Sequence, residues 1–158
     1  MPIQANLRLA PSGDLADVLL AVIEGVAEVN VLWIRRCIAR GLVPPCCTGC
    51  AEPPWVESPV RHVNHHGKPS DTAREYRDGP TMFHLGEGTC ADVVAYDAAA
   101  HVVEGHDVRI ALETLDGENE YHAVVYVDGE RKDPSAAMQA AATNDTHNVG
   151  RCGCKGEP

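Results

Sequence analysis

At 158 residues the chain has room for one domain with a sizeable core and little left for a second. A net charge of −10 with no basic stripe argues against a nucleic-acid-binding surface, since nothing is present to neutralise phosphates, and the 4% aromatic content leaves aliphatic side chains to fill the interior. No stretch is long and uninterrupted enough to span a membrane. Met1-Pro-Ile-Gln lacks the basic region and apolar run of a signal peptide, so synthesis and assembly in a cytoplasm are expected.

Residues 1–13 form a Pro/Gly-punctuated arm, read as a loose terminus or as a docking arm for a neighbouring subunit. From Asp14 to about Arg40 the pattern predicts one long helix. Asp14 can cap it, Arg35, Arg36 and Arg40 suit its negative end, and Gly41 followed by Pro44-Pro45 stops it. Its polar residues Asp17, Glu24, Glu28 and Arg35 make one narrow stripe and nearly everything else is apolar. Such a helix is expected to be covered on most sides, either as a central core helix or in part by a partner protein, with Trp33 and Cys37 as core residues.

The segment from Val43 to Trp55 is an irregular loop rich in proline and cysteine. Cys47 and Cys50 stand in a C-x-x-C spacing beside Cys46, and the C-terminus supplies Cys152-Gly-Cys154. Thiolates from Cys47, Cys50, Cys152 and Cys154 fit a tetrahedral structural zinc site tying the tail to this loop; disulfides and unliganded thiols are the alternatives. Residues 56–80 carry His62, His65 and His66 among Pro, Ser, Gly and Asn, read as a solvated loop in preference to a metal site, and as one wall of a cleft.

The most informative stretch runs from Gly86 to Val103. Gly86 and Gly88 let the backbone bend, and the alanine-rich run after Cys90 reads as a helix ended by Gly105. Thr89 is a good N-cap and Asp92 completes a capping-box pair, so Cys90 falls on the first helical residue. The positive end of a helix dipole favours a thiolate there, and the Cys90 backbone N–H is the oxyanion donor the motif implies.

Val108, Ile110 and Leu112 alternate as a strand, and Asp116-Gly117 turns the chain into a second strand, Tyr121 to Val127. On this second strand Tyr121, Ala123, Val125 and Val127 share one face and His122, Val124 and Tyr126 the other. The hairpin signal Asp128-Gly129 brings Asp133 back beside His122. Cysteine on a helix N-terminus, histidine on one strand and aspartate on the next make a nucleophile, a general base and the group that holds its tautomer. An alanine-rich helix is expected to start near Ala136 and give way to a polar tail. His101, His106 and His147 carry no partner spacing and read as surface or capping residues.

At these residues the chain resembles the transglutaminase-like branch of the papain-like cysteine peptidase fold. More narrowly it resembles a group of short phage-encoded proteins whose pattern includes Gly-x-Gly-x-Cys-x-Asp, a Tyr-His strand and Asp-Pro-Ser. Here these are Gly86 to Asp92, Tyr121-His122 and Asp133-Pro134-Ser135, followed by Met138; the helix residues Glu28 to Arg36 and Pro44-Pro45 also fit. One departure is Thr89, where that group often has an acidic residue. The resemblance implies an α+β domain over residues 14–138 with a long N-terminal helix and a cysteine-bearing helix packed on a small antiparallel sheet; residues 139–158 form a tail with the cysteine pair. It further implies a Cys90/His122/Asp133 site for acyl transfer or peptide hydrolysis. It also implies a place in a virion among other virion proteins, as part of an assembly or a homo-oligomer, with no nucleic acid or membrane as partner. A catalytically silent structural component of a phage particle is the alternative, and a free-standing metal-binding module a third.

Overall fold

The helix that begins at Cys90 organises the molecule. In the computed structural model, which describes residues 15–42, 44–46, 56–57, 60–62, 76–114 and 121–143, this helix packs against all the other long elements. We number the elements in chain order: α1 (Leu15–Ala39), β1 (Pro45–Cys46), β2 (Val56–Glu57), β3 (Arg61–His62), α2 (Gly79–Leu85), β4 (Glu87–Gly88), α3 (Cys90–Glu104), β5 (Val108–Thr114), β6 (Tyr121–Val127), β7 (Glu130–Lys132) and α4 (Pro134–Thr143). The architecture is α+β. None of the described helices is long and apolar enough to cross a membrane.

Small side chains let α3 sit at the centre. Ala95, Ala98, Ala99 and Ala100 are buried, and they allow close approach on several sides of one helix. One side packs with Ile23 and Ala27 of α1 and with Ile110, Ala123, Val125 and Val127 of the sheet. The other packs with Ile34, Met82 and Met138, around Tyr96, whose ring takes Phe83 edge-on at 4.8 Å and lies 6.1 Å from Trp33.

α1 buries Leu19, Ile23, Ala27, Asn30 and Ile34, a stripe with helical spacing. Within the single chain α1 departs from a central core helix: Val29, Leu32 and Ile38 are exposed, Leu32 to 68%. Apolar composition all round gave no sign of which face would be packed. The buried Asn30 has a specific task, since its Oδ1 accepts the Gly79 N–H at 2.7 Å and so fixes the start of α2. No larger residue fits at Gly79, where a Cβ would lie 2.5 Å from the buried Tyr96 ring.

β5, β6 and β7 form an antiparallel sheet in sequence order, with Ile110 opposite Val125, Leu112 opposite Ala123 and Glu113 opposite His122. The β6–β7 turn has positive φ at Asp128 (51°) and Gly129 (84°), as a two-residue Asp-Gly hairpin requires. The pairs β1–β2 and β3–β4 are short parallel bridges.

Candidate active site

The start of α3 is fixed by reciprocal capping. Thr89 Oγ1 accepts the Asp92 N–H at 3.3 Å, and Asp92 Oδ2 accepts the Thr89 N–H at 3.0 Å. The other Asp92 oxygen accepts the Arg77 N–H at 2.8 Å, tying the incoming chain to the same cap. Burial pushes the Asp92 carboxyl above its ordinary range, against the pull of these hydrogen bonds toward the carboxylate. Upstream, Gly86 closes α2 in a left-handed conformation (φ 69°), and Gly88 lies so close to Met82 that a Cβ would meet its sulfur at 2.8 Å. The two glycines thus serve different ends: one turns the chain and the other lets it pass. Cys90 emerges as the first residue of the helix with a free, half-buried thiol, beside amides that have no intrahelical acceptor.

His122 and Asp133 meet, His122 Nε2 lying 2.7 Å from Asp133 Oδ2. The ladder explains the contact. Val125 pairs with Lys132, so one step further places Asp133 opposite Val124, diagonal to His122 on the same face. The Asp-Pro-Ser sequence then orients the carboxylate. Pro134 opens α4, and Asp133 Oδ1 accepts the Ala136 N–H at 3.0 Å and the Ser135 hydroxyl at 2.9 Å. With Oδ1 so held, Oδ2 is left for the imidazole. Burial opposes ionisation of Asp133, but the hydrogen bonds from Ala136, His122 and Ser135 outweigh it and hold its pKa below the ordinary value. A second pair flanks this one. Arg131 binds Glu113 through two hydrogen bonds of 2.7 and 2.6 Å and stands 3.8 Å from Asp133 Oδ2. Its guanidinium holds Glu113, the partner of His122 across the ladder, below the usual carboxylate range.

Cys90 is not joined to this pair: among the described residues no hydrogen bond links its sulfur to His122. Along β6, Ala123, Val125 and Val127 pack toward α3, and His122 alternates with them, opposite Glu113 and on the side of Arg109, whose guanidinium lies 4.3 Å over the Tyr126 ring. Val124, on the His122 side, is fully buried too, and Cys90 packs against the cluster that contains Ala123.

The sequence reading missed Arg131 and Glu113, and it named Ser135 in the Asp-Pro-Ser motif without foreseeing its bond to Asp133, although a serine directly after Asp-Pro is a local signal for a supported cap. It also missed a metal-competent group. His101, Glu104 and His106 present ligand atoms all within 4.8 Å of one another and could in principle hold a metal ion, which corrects the view of these histidines as unrelated surface residues. The proposed zinc ligands Cys47, Cys50, Cys152 and Cys154 lie outside the described residues, as do the arm over residues 1–13, His65, His66 and His147.

Comparison with family models, with curated proteins and with solved structures returned no match.

Proposed function

We propose that this chain is a phage virion-associated protein with a transglutaminase-like cysteine peptidase fold, in which Cys90, His122 and Asp133 carry out acyl transfer. The observation that supports it is the 2.7 Å His122–Asp133 bond, with the far side of Asp133 held by Ser135 and Ala136. Asp133 engages Nε2, so Nδ1 is the ring nitrogen left to act as base. In the reaction Cys90 Sγ attacks an amide carbonyl carbon and His122 Nδ1 takes the thiol proton. The C–N bond breaks as that proton passes to the leaving amine, and a thioester remains. Water then releases an acid, or a second amine takes the acyl group. Asp133 stabilises the imidazolium throughout, and the first-turn amides of α3 are the donors for the oxyanion. The turnover conformation must bring Cys90 Sγ within hydrogen-bond reach of Nδ1, a closure that substrate-free enzymes often lack.

A second reading, a catalytically silent building block of a phage particle, is favoured by the lack of a hydrogen bond between Cys90 and His122 among the described residues. The exposed Val29, Leu32 and Ile38 on α1, with Leu42 just beyond it, also favour it as an apolar surface for a neighbouring protein.

Iodoacetamide labelling, followed residue by residue by mass spectrometry, separates the two readings. An active site makes Cys90 label faster than Cys37 near pH 6, and His122→Ala slows Cys90 by about tenfold or more while leaving Cys37 unchanged. Equal rates at the two cysteines, indifferent to His122→Ala, would leave only the structural reading.

A further inference from the structure

α3 ends in a turn that places two histidines and a glutamate together. Gly105 adopts φ 93° and closes the helix, and the next residue folds back so that the His106 N–H reaches the His101 carbonyl at 3.0 Å. This return sets the His106 ring against that of His101, with centroids 5.4 Å apart, and Glu104 lies one turn along the helix from His101. Glu104 Oε2 stands 3.5 Å from His101 Nδ1 and 3.8 Å from His106 Nε2.

Two further observations point to a ligand. His101 is 8% exposed and its Nδ1 is a buried polar atom with no hydrogen-bond partner, although it faces Glu104. Such an atom is costly unless something occupies it. In addition, both rings have their remaining nitrogen set against a carboxylate. His106 Nδ1 lies 2.7 Å from Asp128 Oδ2, and His101 Nε2 lies 3.6 Å from Asp97 Oδ2. Asp128 is itself pinned, since its Oδ1 accepts the Asp107 N–H at 3.0 Å. A carboxylate hydrogen-bonded to the imidazole, as Asp128 is to His106, is the arrangement that fixes the tautomer of metal-bound histidine and raises its basicity.

We propose that His101 Nδ1, Glu104 Oε2 and His106 Nε2 bind a divalent transition metal, with zinc the ion this two-histidine, one-carboxylate set suits best. Ligands about 2.1 Å from a tetrahedral zinc stand about 3.4 Å from one another, close to the two glutamate–histidine separations. His106, whose side chain is 42% exposed, forms the solvent side of the site, and the fourth position opens to water. The site lies at the far end of α3 from Cys90. The Asp128 carboxylate behind His106 belongs to the β6–β7 turn, so a bound ion clamps the helix to the hairpin that joins His122 to Asp133. The proposal is independent of the acyl-transfer reading.

The test is zinc binding by the full chain, measured as metal content after dialysis and as the shift in Tm on adding zinc chloride. Because thiolates also bind zinc, each variant is compared with the wild type. Neither His106→Ala nor Glu104→Gln removes a buried side chain, so both leave the fold intact. Each is expected to lose one zinc equivalent and its part of the Tm shift, while Asp128→Asn keeps the site but weakens it about ten- to a hundredfold. Unchanged zinc content and an unchanged Tm shift in both His106→Ala and Glu104→Gln would overturn the proposal. So would an X-ray absorption spectrum of the wild type in which all bound zinc has sulfur ligands alone.

Discussion

The two ends of α3 are built on opposite terms. At the N-terminal end the principal polar groups answer one another: Thr89 and Asp92 cap reciprocally, Arg77 gives its N–H to Asp92, and Asp133 is held between Ser135, Ala136 and His122. At the C-terminal end Asp97, Glu104 and Asp128 crowd two histidines, and a buried nitrogen is left unanswered. Side chains that satisfy one another need nothing further to be stable. Unsatisfied side chains leave room for a ligand, as proposed above, and mutation should therefore affect the two ends differently.

The largest effect is expected from Asp92→Ala. It removes the acceptor for two backbone N–H groups and half of the capping box, and should lower stability by about 3 kcal/mol, read by urea denaturation. A loss below about 1 kcal/mol would mean that water replaces the carboxylate and that this end is not the closed network described above.

Next comes the pH dependence of Asp133. Its folded pKa is depressed, so its contribution is complete above the unfolded value of about 3.9 and is lost as pH falls through the lower folded value. Asp133→Asn should therefore destabilise most near neutral pH, by about 1 kcal/mol, with the difference from wild type shrinking below pH about 4. Ser135→Ala, which removes one of the bonds to Oδ1, should cost about 1 kcal/mol without changing which groups titrate. A pH-independent Asp133→Asn penalty would reduce Asp133 to a neutral helix cap.

These contrasts also mark what could be seen from the chain alone. The α3 start, the β5–β6–β7 order and the Asp128-Gly129 turn were legible because each is set by adjacent residues: Thr89 with Asp92, apolar alternation, and a pair that accepts positive φ. α2 was not foreseen, although Asp78 caps it and Pro80 opens it, because its first N–H depends on Asn30, 49 residues upstream. Strand alternation separated His122 from Ala123 in the sequence. Only the packing of α1 and α3 shows that Ala123, Val125 and Val127 are the residues that meet α3, while Val124 on the His122 side is buried by other parts of the chain. At the other end His101 and Glu104 had visible helical spacing. His106 joins them through the left-handed turn at Gly105, and Asp128 from a hairpin 22 residues on, neither of which a periodicity reveals.

The smallest predicted effect on the metal-free protein separates the two ends most sharply. Glu104 sits at the negative end of the α3 dipole among other carboxylates, so Glu104→Gln removes an unfavourable charge while preserving shape. Without metal the variant should be more stable than wild type by about 0.5 kcal/mol. With zinc the order should reverse, since the wild type gains the binding free energy and the variant does not. Thermal melts with chelator and with zinc would show the crossing. A Glu104→Gln protein less stable in chelator would mean that Glu104 already serves His101 and His106 as a partner, in which case this end is as self-sufficient as the other and the contrast between them fails.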